Sequence, residues 1–544
     1  MSARDTIDEE ERTGVLVVGA GPAGLTLAID LAMRGVPCHV VEATAERPLN
    51  PRCNTTSARS MEIFRRLGIA GDIRRAGLPE DRPTSVHYRT TLLGEEIFRI
   101  DLPSSGEVLS GAGKEDWPTP EPQHRISQLH LEPVLERHAR SLPGLTIERG
   151  TRLTGLRRHE DHVEAVVESG GTTRTLRPAY VVGCDGAHST VRRGLGIRYE
   201  GVDALQKFVT TFVRSRALGA IADRDPAWTY WTYGRRTASL IAVDGEELWL
   251  NHVAFPPDHD TEDEDPERLL RETVGADVEH DVLGVVRWTG RRLVARRYGE
   301  GRVFLAGDAA HLWIPVGGFG MNAGIQDAVT LGWMLAAVLH GWAPPALLDA
   351  YQLERKPVGE QFADAVRAAA RTSFADVSPD IHLPGPEGEA ARAEFAGRLA
   401  RNEPHRYSPD GFSFGYHYAH SPLVVGGGEQ AAITMGDHTE RARPGFRLPH
   451  AWLDEGRSVL DALGPDFTLL RTDPDTDVTP WTDAAAALGV PLTVVDLPAR
   501  WPERYPAALL LVRPDQHVAW TGEAHPRPEE LLHTVTGRLA APRQ

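Results

Sequence analysis

Three glycines, Gly19, Gly21 and Gly24, stand in a Gly-x-Gly-x-x-Gly spacing directly behind the apolar run Val15-Leu16-Val17-Val18. Such a run suits a strand buried on both faces of a parallel sheet. Residues 25–33 follow as an apolar-periodic helix stopped by Gly35, and a second strand over 38–41 ends in Glu42. Strand, tight turn, helix, strand and terminal acid form the arrangement that grips a dinucleotide. Gly19 makes the turn, Gly21 lets backbone approach a pyrophosphate, and Gly24 lets the helix pack on the strand. Ala20, Pro22 and Ala23 complete the loop, and the helix start offers unpaired N–H groups to phosphate. Glu42 accepts from ribose hydroxyls in this reading. An acid there suits the unphosphorylated ribose of FAD or NAD and repels the 2′-phosphate of NADP.

A second turn, Gly307-Asp308-Ala309-Ala310-His311, follows the apolar run Val303–Ala306 nearly three hundred residues later. It can meet the same ligand from the far side, and a ligand held by such distant segments is long and bipartite. FAD fits that description. Asp308 is placed to bond ribityl hydroxyls. Gly317, Gly318 and Gly320, behind Pro315, permit close backbone approach to a flat ring. Backbone N–H groups of Gly320, Met321 and Asn322 then face the flavin N1–C2 edge, where negative charge develops. The next helix spaces Ala328, Leu331, Met334, Leu335, Val338 and Leu339 as one buried face, and its positive end points at the ring. His311 reads equally well as a packing or capping residue and as a catalytic one. No second Gly-x-Gly-x-x-Gly follows a strand, since Gly426-Gly427-Gly428 lies in loop-like sequence, so one tightly and non-covalently held dinucleotide is expected.

Four blocks carry a resemblance. With the first turn, Arg52-Cys53-Asn54-Thr55-Thr56-Ser57-Ala58-Arg59-Ser60-Met61-Glu62 is similar to the FAD-dependent aromatic hydroxylases of the p-hydroxybenzoate hydroxylase type, and most of all to the phenol and chlorophenol monooxygenases and their polyketide-tailoring relatives. Arg125-Ile126-Ser127-Gln128, the segment Cys184–Arg192, and Gly301–Asn322 supply the other three. The resemblance implies that Arg52, Arg125 and Gln128 contact the flavin phosphate or ribityl groups, and that Asp185, Gly186 and Arg192 contact FAD and NAD(P)H. Asp185 and Arg192 read alternatively as a structural ion pair at a strand-to-helix turn, and Arg59 as a helix-surface residue. The implied reaction uses NAD(P)H to reduce FAD, adds O2 to give a flavin C4a-hydroperoxide, and passes oxygen to an activated aromatic carbon. No compact nucleotide domain is present for NAD(P)H, so hydride donation is expected to be transient, through a swinging flavin.

Length, composition and charge bound the rest. At 544 residues the chain calls for two or three domains, and a formal charge of −17 argues against nucleic acid or anionic lipid as a partner. Lysine is almost absent, with only Lys114, Lys207 and Lys356. Cys38, Cys53 and Cys184 show neither disulfide nor zinc spacing, so no metal is expected, and a reducing cytoplasm is the natural compartment. The acidic residues 1–12 are unlike a leader. The apolar stretch 15–33 is broken by glycines, a proline and Asp30, so no membrane span is expected.

The expected architecture is α/β: a Rossmann-type FAD-binding domain (1–85, 125–204 and 288–375), an interleaved β-sheet substrate domain (86–124 and 205–287), an irregular linker (376–440), and a C-terminal thioredoxin-like domain (441–544). Without a cysteine beyond Cys184 the last domain cannot exchange dithiols, which leaves a structural role or homo-oligomerisation. Trp228, Tyr230, Trp231, Tyr233 and Trp249 line an aromatic pocket or serve as sheet core. Tyr230, Tyr233 and His252 are the candidate bases for deprotonating a substrate. The expected function is hydroxylation of a phenolic or polycyclic aromatic small molecule. Baeyer–Villiger oxidation, epoxidation or flavin reduction on a similar substrate is the alternative.

Overall fold

The computed structural model describes residues 14–538 except 48, 50–52, 111–116, 375–376, 429–431, 499 and 525–526. Its nucleotide-binding half is a six-stranded sheet in the order Gly299–Glu300, Val303–Leu305, Tyr180–Gly183, Val15–Val18, Cys38–Glu42, Leu145–Arg149. Every pairing is parallel except the first edge pair. Val15 to Val17 are wholly buried, as a central parallel strand requires. Helix Pro22–Met33 covers this sheet and is backed by helix Phe319–Leu339. The second helix is buried on all sides through Ala337, rather than along a single stripe.

The second sheet has eight strands in the order His311–Trp313, Asp281–Ala295, Tyr199–Arg214, Leu248–Phe255, Thr237–Ala242, Thr229–Tyr233, Val86–Arg89, Glu96–Ile100. Chain segments on both sides of residues 125–198 therefore build it together. Its long strands Tyr199–Arg214 and Asp281–Ala295 run past residues 204 and 288. Both belong to the second sheet along their length, and a register irregularity between Val202 and Gln206 interrupts their pairing beside residue 204.

Register assigns the two faces of this sheet. Phe208, Thr210 and Phe212 alternate with Val209, Thr211 and Val213, and Thr210 lies opposite His252 and Val286. Phe208 packs into the core shared with the nucleotide-binding half, which makes its face the inner one. Val213, Tyr230, Leu240 and Trp249 form the outer layer, under helices Arg216–Ala222 and Pro266–Val274.

The described part of 376–440 is less irregular than expected. Helix Gly385–Asn402 starts at Pro384-Gly385-Pro386 and places Phe395 and Leu399 against the second sheet. Proline is tolerated in a first helical turn, and the Ala-, Glu- and Arg-rich sequence behind it propagates a helix. The C-terminal unit is thioredoxin-like, with sheet order Leu492–Asp496, Phe467–Arg471, Leu509–Val512, Val518–Gly522 and helices Thr479–Leu488 and Pro528–Val535. It docks through buried charge. Arg513 donates to both Glu354 oxygens (2.5 and 2.8 Å), and Arg447 binds Glu62. Arg59, far from the surface at 1% exposure, donates to Gln516 Oε1 and Asp515 O. Among the described residues no helix is long and apolar enough to cross a membrane.

Candidate flavin and substrate site

The glycines of the first turn divide their work as their surroundings dictate. Gly19 sits at φ +108°, where an added Cβ would stand 2.4 Å from Cys184 O. A Cβ on Gly24 would stand 2.0 Å from Gly19 O, so helix and strand touch there. At Gly21 a Cβ would meet nothing within 4 Å. Gly21 opens on a cleft of about 380 Å³ lined also by Glu42, Gln128 and Asp185. Glu42 accepts from Ala20 N (2.9 Å) and from Thr44 N and Oγ1 (2.9 and 2.7 Å). Burial opposes its charge, yet these donors hold its carboxyl below the ordinary range.

The second turn arrives at the same place. A Cβ on Gly307 would lie 3.2 Å from Ala23 Cβ, so segments nearly three hundred residues apart are in van der Waals reach. A buried network fixes this contact. Asp327 accepts from His311 Nε2 (2.7 Å), Arg355 Nε (2.7 Å) and Gly307 N (3.1 Å). His311 also stacks on Trp313 at 4.5 Å. Asp308 stands exposed at the strand end, with its carbonyl accepting from Tyr199 OH.

Beyond it, Gly317 and Gly318 adopt φ +79° and +71°, and helix Phe319–Leu339 starts at once. Its first N–H groups have no partner inside the helix. The Asn322 side chain turns away from a ring site: it donates to Thr55 O (3.0 Å) and Gly318 O (2.7 Å) and accepts from Ser57 N (2.8 Å). Asn322 thus locks the loop to the 53–57 segment, and only its backbone N–H, with those of Gly320 and Met321, is left for a ligand. Pro315 is exposed at the loop edge.

Arg125 continues that chain of contacts. It donates to Thr55 Oγ1 (3.0 Å) and lies 4.1 Å from the Trp228 ring centroid, on the wall of a second cavity of about 330 Å³. Its Nε and Nη2 are buried without a partner, and burial pulls its guanidinium down to about 10. Arg52 lies outside the described residues.

These geometries agree with what the chain is similar to. Residues 12–366 match the family model described as an FAD binding domain, and residues 441–542 the one described as aromatic-ring hydroxylase, C-terminal. A putative polyketide hydroxylase of Streptomyces halstedii is 34% identical over 98% of this chain and 98% of its own. Aklavinone 12-hydroxylase RdmE of Streptomyces purpurascens is 32% identical over 97% of this chain and 99% of its own. A solved structure of RebC with bound 7-carboxy-K252c superposes with a TM-score of 0.90 at 37% identity, covering 97% of this chain and 99% of that one. The chain belongs to the FAD-dependent aromatic-ring hydroxylases.

The hydroxylase's residues fit FAD on structural grounds. Gly21 leaves open the space a pyrophosphate needs, and Asp185 keeps Oδ1 buried without a partner beside it while Oδ2 caps Thr190 N (2.6 Å) and Val191 N (3.2 Å). The Asp185–Arg192 ion pair weighed from sequence does not form. Arg192 donates to Ile197 O (3.0 Å) and covers the Tyr199 ring at 3.8 Å, leaving Arg193 to line the cleft. Gln128 N donates to Cys53 O (2.7 Å), and its amide donates to Glu132.

Of the three candidate bases, the structure brings only His252 to the inner face in a half-buried position. Tyr230 belongs to the outer layer. Its hydroxyl donates to Asp225 O (2.9 Å) and accepts from Ala227 N (2.9 Å), so it is a core tyrosine. The alternation of strand Thr229–Tyr233 puts it on the wrong side. Tyr233 is on the inner face but is buried and packs edge-on against Phe395 at 4.7 Å, and burial drives its hydroxyl well above the ordinary range. Sequence reasoning missed Asp327 and Arg355, and also the cleft arginines Arg47, Arg149 and Arg193. In a chain whose positive charge is nearly all arginine, no pattern set these apart.

Proposed function

We propose that this hydroxylase uses NAD(P)H and O2 to hydroxylate a phenolic or polycyclic aromatic substrate: Ar–H + O2 + NAD(P)H + H⁺ gives Ar–OH + NAD(P)⁺ + H2O. The observation that carries this reading is the meeting of the Gly19–Gly24 turn, the Gly307 turn and the 315–322 loop opposite a sheet face with part-exposed Trp288, Ile241 and His252. Bound FAD supplies hydride acceptance and oxygen activation. The chain supplies everything else. The first turn and the Glu42 end of the cleft hold the pyrophosphate and ribose, and the N–H groups of Gly320 to Asn322 stabilise negative charge at the ring edge. The inner sheet face excludes water and presents aromatic surface to a planar substrate. Solved relatives include PieE in complex with FAD and substrate and aklavinone-11 hydroxylase in complex with FAD and aklavinone, which supports the same class here.

All three thiols are unpaired, which fits a reducing cytoplasm. The test is a screen of phenols and polyketide aromatics for stimulated NAD(P)H oxidation, with products made under isotopic oxygen. A product with one labelled hydroxyl on an unchanged carbon skeleton supports hydroxylation. Oxygen inserted into a carbon–carbon bond, or NAD(P)H oxidation with no labelled product, refutes it.

A further inference from the structure

The inner face carries a hydrogen-bonded row across three strands. Trp288 Nε1 lies 2.8 Å from Thr210 Oγ1, and Thr210 Oγ1 lies 2.7 Å from His252 Nδ1. Chemistry fixes the direction of the first bond, and the second follows from giving the hydroxyl proton an acceptor. An indole N–H only donates, so it gives its proton to the threonine oxygen. The hydroxyl proton then goes to the other partner of that oxygen, His252 Nδ1. Burial pushes the imidazole down to about 4, which keeps the ring neutral at pH 7 and its single proton on Nε2. Phe208 stacks on Trp288 at 4.1 Å and holds the start of the row in place.

We propose that His252 is a substrate-binding hydrogen-bond donor: its Nε2–H, fixed in that tautomer by Trp288 and Thr210, binds an acceptor oxygen of the aromatic substrate, a phenolate or a quinone-type carbonyl. This rests on the hydroxylase reading above and replaces the role of base with its opposite. A neutral ring that accepts at Nδ1 and carries its proton at Nε2 offers no lone pair at Nε2 to take a proton from a ligand. What it can do is stabilise negative charge on the oxygen it binds, and so favour the ionised form of a phenol beside the flavin-binding loop. The adjoining surface suits a planar ring: Trp288 and Ile241 are part-exposed, with Phe208 behind the first and Leu250 and Phe212 behind the second. Thr210 and Trp288 are positioning residues, since they act through His252.

Two measurements on the FAD-loaded enzyme test this. Nitrogen NMR of protein carrying isotope-labelled histidine, with the His252 signal assigned by its loss in His252→Gln, is expected to show the Nε2–H tautomer at pH 7. In Thr210→Val the ring loses its fixed tautomer and the signal moves toward the exchange average. An Nδ1–H tautomer or an imidazolium in the unaltered enzyme overturns the proposal. The second measurement titrates 1,8-dihydroxyanthraquinone, whose phenol and phenolate absorb at different wavelengths, into the enzyme and two variants. His252→Phe is expected to bind the probe about tenfold more weakly, whereas His252→Gln, which keeps an N–H donor, loses less than about threefold. Equal behaviour of all three proteins, including no binding by any, overturns it. Visible absorbance of each protein separates the two readings. Colourless protein faults the flavin assignment, and yellow protein indifferent to residue 252 faults this one.

Discussion

Adding one methyl group to each of two neighbouring glycines separates cofactor binding from folding. At Gly21 the backbone is extended (φ −79°, ψ −180°), which any residue adopts, and an added Cβ meets no protein atom within 4 Å. Gly21→Ala therefore leaves the unloaded protein as stable as before. The methyl instead projects into the cleft where the pyrophosphate lies. Overfilling a fitted contact costs about 1–3 kcal/mol, so FAD affinity falls about five- to 150-fold. At Gly24 the same methyl would stand 2.0 Å from Gly19 O and 3.2 Å from Cys184 Cβ. Helix Pro22–Met33 must lift from its strand, so Gly24→Ala loses a similar free energy from the unloaded protein and loses FAD as well. Bound FAD at a hundredfold excess over its dissociation constant adds about 2.7 kcal/mol of stability. Denaturation with and without FAD thus reads both terms, and quenching of flavin fluorescence gives the affinity. Gly21→Ala binding FAD as tightly as the unaltered protein would refute the reasoning. So would equal destabilisation of both unloaded variants.

Three further outcomes are expected. Tyr230→Phe keeps kcat/KM within about twofold in the substrate assay, but leaves Ala227 N–H without its acceptor and costs about 1–3 kcal/mol of stability; a large loss of turnover would return Tyr230 to the site. Asp327→Ala strands the buried Arg355 and releases His311 and the Gly307 turn, at about 3–5 kcal/mol, and lowers FAD content in the same preparation; unchanged FAD content would detach this network from the site. Acid lowers stability in two stages. Burial pulls His124 and His450 down to about 3, so the unfolded chain takes up their protons first and stability falls as pH drops below about 6.5. Glu136, set at about 2 by Arg149, Arg140 and Arg47 against its burial, and Glu62 and Asp327, also lowered, contribute fully above about pH 5 and lose that contribution toward pH 2. Urea midpoints that stay flat from pH 7 to 4.5 would contradict the first stage.

The glycine turns were legible because their chemistry is local. A left-handed turn and a close approach leave few alternatives to glycine, so Gly19, Gly24, Gly317 and Gly318 read directly from the sequence. The aromatic strand did not read so clearly. Period two says that Tyr230 and Trp231 face opposite ways but not which way is inward, and that depends on Pro266–Val274 covering one side. His252 was found as a residue, but its hydrogen bonding runs through Thr210 and Trp288 on two other strands, which spacing does not show. Asn322 belonged to the expected ring loop, yet its amide ties down Thr55, a contact across 267 positions that spacing cannot show. Arg59 was left open as a helix-surface residue because, although a C-terminal domain was expected from 441 onward, nothing in the spacing shows that its Asp515 and Gln516 reach back to residue 59.

The central claim is that one FAD spans the Gly21 cleft and the 315–322 loop, with its ring under the inner face that carries His252 and Trp288. A crystal structure of the FAD-loaded enzyme tests it most directly. The expected density has the pyrophosphate over Gly21 and the isoalloxazine against Gly317 to Met321. Flavin density elsewhere, or protein that takes up no FAD while folded, would contradict it.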